Sequence, residues 1–66
     1  MTKVTNSYGI EVDFDAAVAI MDDELREEIA AQFAPCTEQK FFTEYAKAHN
    51  ARFLGEWPAD SRDPVM

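Results

Sequence analysis

The sequence predicts a helix-dominated α+β fold: a short N-terminal β-hairpin packed on two to three α-helices. Three observations predict it. Residues 10–14 alternate apolar and acidic side chains with period two, after a short segment holding Val4 and a glycine. Residues 14–33 carry apolar side chains at helical spacing. A third set runs from Phe41 to Phe53, between a proline and a glycine.

The hairpin comes first, with strands expected over 2–5 and 10–13. Its register follows from the loop. A two-residue loop at Asn6-Ser7 would set Val4 opposite Gly9, on the wrong face. An odd loop at Ser7-Tyr8-Gly9 pairs Val4 with Val12 on one face and puts Gly9 where a left-handed residue is needed. A two-stranded hairpin is marginal alone, so its apolar face must lie on helices.

Asp13 or Asp15 can cap a first helix, whose Phe14, Ala17, Val18 and Met21 share one face. Asp22-Asp23-Glu24 reads as a break followed by a new first turn, because acids favour helix N-termini. The second helix runs to about Ala34, with Leu25, Ile29 and Phe33 as its apolar stripe, and Pro35 ends it. Cys36 or Thr37 caps the third, and Thr37 is the better cap. Its apolar face is Phe41, Phe42, Tyr45, Ala46, His49 and Phe53, with Gly55 at the left-handed position past its end. Trp57 folds back on the core. Residues 1–57 are expected to form a single compact domain, and 58–66, polar and proline-bearing, a mobile C-terminal tail.

A chain of 66 residues supports one domain, of a few kcal/mol net stability. Cys36 is the sole cysteine, so no internal disulfide adds to it; Cys36 is expected to be a small buried residue. Self-association, a homodimer in the simplest case, would add buried area. The lone thiol, the absence of an apolar signal-peptide core and the absence of a long apolar run point to a soluble, cytoplasmic protein with no membrane contact.

Charge is the strongest functional signal. Residues 1–34 hold eight acids and two bases, net −6, whereas 35–66 hold five acids and four bases, net −1. The acids are Glu11, Asp13, Asp15, Asp22, Asp23, Glu24, Glu27 and Glu28. Such a field repels nucleic acid and anionic membrane and attracts basic protein surfaces. The carboxylates could imitate a row of phosphates, which recur about every 3.4 Å along one strand. The plainer reading is that they cap helices and solubilise a small domain.

Other chemistries are poorly supported. Asp13-Phe14-Asp15 and Asp22-Asp23-Glu24 lack the glycine and the ligand spacing of a calcium loop, so no metal or other cofactor is expected. Cys36 and His49 lie thirteen residues apart on one helix, about 20 Å, too far for a nucleophile–base pair. His49 near a helix C-terminus suits the dipole. No catalytic constellation or glycine-rich phosphate loop is present, and an enzyme is not expected. Lys40, Lys47, Arg52 and Arg62 are dispersed among acids, against direct nucleic-acid binding. The aromatics read as core, although one of Phe42, Tyr45 or Trp57 left outside it would serve as an interface anchor.

The stretches Asp13–Val18, Met21–Glu28 and Ala34–Gln39, then Phe41-Phe42 and Ala48-His49, resemble in their order small uncharacterised acidic proteins of phages and integrated elements. The resemblance spans roughly residues 9–56. Such families include many inhibitors of host defence, anti-CRISPR proteins among them, so the resemblance implies an inhibitor and assigns no site residue. With the charge, it gives a non-enzymatic inhibitor acting in the host cytoplasm. It would bind a basic, nucleic-acid-handling host protein through the acidic face and block nucleic-acid binding; a CRISPR effector complex is one such target. The alternative is a small adaptor or assembly protein that dimerises or docks through an apolar helix face. A regulator that folds around a metal is a further alternative.

Overall fold

The computed structural model describes residues 2–64. It contains strands β1 (Lys3–Thr5) and β2 (Glu11–Asp13), helices α1 (Phe14–Ala19), α2 (Asp23–Phe33) and α3 (Glu38–Phe53), and a 3-10 turn at Pro58–Asp60. The fold is α+β and helix-dominated, as the periodicities predict.

The hairpin is antiparallel with Val4 opposite Val12, the register that the odd loop requires. Gly9 N–H donates to Asn6 O at 3.0 Å and Asn6 N–H to Ile10 O at 2.9 Å, enclosing Ser7-Tyr8-Gly9. Gly9 has φ 76°, a left-handed conformation that glycine adopts without steric cost. On the outer edge of β1, Gln39 of α3 stands in for a missing strand. Its Nε2 donates to Thr5 O at 2.9 Å and its Oε1 accepts Thr5 N–H at 2.8 Å.

Helix boundaries follow local chemistry. Asp22 caps α2 through Leu25 N–H at 3.0 Å, and Thr37 caps α3 through Lys40 N–H at 3.1 Å. The helices enclose a core of Val4, Val12, Ala17, Met21, Leu25, Ile29, Phe42, Tyr45, Ala46, Trp57 and Ala59. Trp57, Tyr45 and Phe42 are its largest fully buried side chains. The Trp57 ring lies 4.6 Å from Tyr45 and 5.2 Å from Phe42, centroid to centroid. None of these three is left outside as an anchor.

The structure departs from the sequence reading at five places. Asp13 occupies the N-cap position of α1 but makes no side-chain cap bond, and neither does Asp15; the first amide of the helix, Phe14 N–H, donates to Thr2 O at 2.9 Å. Cys36 is exposed in the α2–α3 connection, because the turn after Pro35 leaves the core. Phe33 and Phe53 are only partly covered, since each ends its helix beyond the span of its neighbours. The left-handed residue after α3 is Leu54, at φ 53° and ψ 39°, and not Gly55. A side chain with a Cβ at such a φ costs about 1–2 kcal/mol.

The fifth departure concerns the boundary at 57, because the packed body extends past it. Ala59 is fully buried and Asp60 is 5% exposed. Asp60 accepts Ser7 N–H at 2.7 Å and Ser7 Oγ–H at 2.9 Å. Asn6, also buried, donates to Ala59 O at 3.2 Å and Ser61 O at 2.8 Å, and accepts Tyr8 N–H at 2.9 Å and Ile10 N–H at 3.0 Å. Every polar valence of that amide is used. Of the expected tail, Val65 and Met66 lie outside the described residues.

Asn6→Ala should therefore destabilise the domain by about 2–3 kcal/mol, the scale of orphaning buried polar groups. Truncation after Trp57 should destabilise it more than truncation after Arg62. Urea unfolding midpoints of the three variants check both statements.

Candidate functional site

The eight acids predicted from sequence do not form one row. They fall into two groups at opposite ends of α1, a helix of six residues and about 9 Å. Glu11, Asp13 and Asp15 lie at β2 and the first turn of α1. Asp22, Asp23, Glu24, Glu27 and Glu28 lie on the first two turns of α2, where Leu25 and Ile29 take the buried face. The acids therefore point outward, and all five of these α2 residues are exposed.

Their partners differ. Glu24 and Glu28 converge on Arg52 of α3, at 3.4 and 2.9 Å. Asp23 faces Arg26 at 3.4 Å. These pairs are solvent-exposed, and such pairs contribute less than about 1 kcal/mol each. Asp22 is committed to its cap. Among the described residues Glu11, Asp15 and Glu27 make no ion pair. Asp13 is half-buried with an orphaned Oδ1, so it presents less of its charge to solvent than its neighbours do. With Glu11 and Lys3 it borders a shallow open hollow of about 420 Å³ beside β2.

The start of α2 is tied to α3 at Asp22 by a polar relay that the sequence reading missed. Tyr45 Oη accepts Asp22 N–H at 2.7 Å and sits 3.2 Å from His49 Nδ1. Burial holds the His49 imidazole below its ordinary value, with Asp22 pulling weakly the other way. A neutral ring with Nδ1 unprotonated accepts the Tyr45 hydroxyl proton, and the relay is satisfied. Burial likewise pushes the Tyr45 phenol up, which keeps that proton in place. An i, i+4 Tyr–His pair on a predicted helix is the signal that could have found it.

Cys36 and His49 stand at opposite ends of α3. Among the described residues no three His, Cys, Asp or Glu side chains are grouped to hold a metal ion. No described helix is long and apolar enough to cross a membrane.

The geometry is that of a small rigid body presenting carboxylates from two helix starts. The family model of the anti-CRISPR protein AcrIC5 matches residues 5–57, from the end of β1 to the buried Trp57. The chain belongs to the AcrIC5 family of anti-CRISPR proteins. No curated protein matches it. Membership makes the protein an inhibitor of a host CRISPR defence, as the resemblance of segment order implies. The match covers the hairpin loop and β2, both acid groups and the Tyr45–His49 relay.

The relay gives a pH dependence with a defined sign. The unfolded chain takes up a proton on His49 near pH 6.5, and the folded protein resists it to lower pH. This contribution is complete above about pH 6.5 and is lost as pH falls through the folded value. Unfolding free energy should therefore fall between about pH 7.5 and 5.5, above the range in which most carboxylates titrate. His49→Gln should flatten that slope. Urea titrations at stepped pH measure both.

Proposed function

We propose that the protein inhibits CRISPR defence without catalysis, by occupying a basic, nucleic-acid-binding surface of a CRISPR component with its α2 carboxylates. The observation that carries this reading is the first two turns of α2. Asp22, Asp23, Glu24, Glu27 and Glu28 are all exposed there, opposed only by Arg26 and Arg52 among the described ion pairs. Helix starts favour acids, but the dipole rewards only the first turn, by about 0.3–1 kcal/mol each. Glu27 and Glu28 lie beyond that turn, so capping and dipole leave them unexplained. Glu11 and Asp15 flank the contact from the hairpin side, and Asp13 contributes less.

Lys and Arg side chains that normally hold phosphates would meet these carboxylates, and counterions would be released as they do on nucleic-acid binding. The target acts on nucleic acid in the host cytoplasm, so the inhibitor acts there too. The weaker alternative is docking or dimerisation through an apolar helix face, with the acids only solubilising.

Neutralisation tests the reading with little damage to the fold. Glu24→Gln with Glu27→Gln and Glu28→Gln keeps side-chain shape, helix propensity and hydrogen bonds to Arg52, whereas lysines at 24 and 28 would oppose it. The triple variant should bind the CRISPR component at least tenfold more weakly at low salt, with a shallower salt dependence. Wild-type binding should fall steeply between about 0.05 and 0.5 M salt, because exposed charges are screened over that range. Unchanged binding by the triple variant, together with salt-indifferent wild-type binding, would leave the acids as solubilising groups.

A further inference from the structure

At the C-terminal end of α3 two local rules are broken at one residue. Leu54 takes a left-handed backbone conformation, φ 53°, that disfavours any side chain with a Cβ, although Gly55 stands next to it. Its side chain is 90% exposed, so burial does not compensate. Phe53 beside it is 48% exposed, its ring braced against His49 at 4.6 Å. The pair forms a projecting apolar corner. A strained backbone that holds a large apolar side chain in water marks a contact residue.

The surroundings state the chemistry of what it meets. Arg52, the preceding residue, is held by Glu24 and Glu28, which joins the corner to the α2 acids. On the other side Glu56 accepts the Tyr8 hydroxyl at 2.6 Å, and that bond raises the Tyr8 phenol above its ordinary value. Glu24, Glu28 and Glu56 therefore rim the corner against Arg52 and Arg62, whose guanidinium lies 5.7 Å over the Tyr8 ring, and the rim keeps an excess of carboxylate. A basic surface complements that rim. An apolar projection ringed by charge is the form of an interface anchor with a polar rim.

We propose that Leu54, backed by Phe53, is the apolar anchor of the inhibitory contact and enters an apolar recess within the basic surface of the CRISPR component. This rests on the acid-face reading and adds to it the source of slow dissociation. Carboxylates govern encounter and its salt dependence, whereas a desolvated anchor governs release.

Leu54→Gly separates this role from the fold, because glycine relieves the left-handed backbone while removing the side chain. Leu54→Asn, polar and tolerant of the same conformation, is the second variant. The binding partner is the purified CRISPR effector complex whose interference the intact protein blocks in a phage-plating assay. Both variants should unfold at urea concentrations no lower than wild type, yet dissociate at least tenfold faster, with the wild-type salt dependence retained. Wild-type dissociation by both variants overturns the anchor. If the Glu24, Glu27, Glu28 glutamine variant is still weakened in that case, the acid-face reading stands without it; if that variant is also unaffected, both fall. If Leu54→Gly instead converts a dimer of this chain to monomer in sedimentation and leaves binding to the complex intact, the corner is a self-association contact and the proposal is overturned.

Discussion

Everything in this fold depends on Trp57 being carried back into the core. A chain of 66 residues with a single cysteine must close its interior by packing alone. Trp57 is 1% exposed and touches Phe42 and Tyr45, side chains that also meet the other helices. Its indole Nε1–H has no partner among the described residues, at a cost of about 1–3 kcal/mol. Burying an indole of about 200 Å² at about 25 cal/mol per Å² returns about 5 kcal/mol, so burial wins. That return requires residues 58–61 to be anchored, and Asn6 and Asp60 anchor them to the hairpin loop.

Closing the core this way leaves α2 free to spend its outer face on charge. Leu25 and Ile29 suffice to fix the helix, and its N-terminal turns carry acids with no packing duty. The Tyr45 hydroxyl ties Asp22 to α3, and Arg52 ties Glu24 and Glu28 to the same helix. A preorganised array of carboxylates loses less side-chain freedom on binding than a disordered acidic tail would. Stability and the proposed function therefore share α3 while using different faces of α2.

The parts legible in the sequence are those that local rules decide. Register and the place of Gly9 followed from alternation and loop parity. Thr37 was readable as a cap by its short oxygen side chain, and Asp22-Asp23-Glu24 as a helix start by its acids. What escaped depends on distances between remote segments. Asn6 and Asp60 are fifty-four residues apart and look like ordinary loop polars until the chain closes. Asp13 sits where a cap belongs, but its side chain is half-buried beside β2 and makes no cap bond. Gly55 is the better left-handed residue by type, yet the helix ends one residue earlier, at Leu54. The acids were legible as a charge imbalance, but their division by α1 and their sharing of Arg52 were not, since both arise from helix packing.

In the proposed function, carboxylates of this family member stand where phosphates would. Competition on the inhibited CRISPR component tests it most directly. The complex would be loaded with a labelled nucleic-acid substrate and titrated with the protein, and displacement followed by fluorescence anisotropy. Mutually exclusive binding, with substrate displaced stoichiometrically and excess substrate displacing the protein in turn, is the predicted result. A stable ternary complex of component, substrate and protein would contradict it.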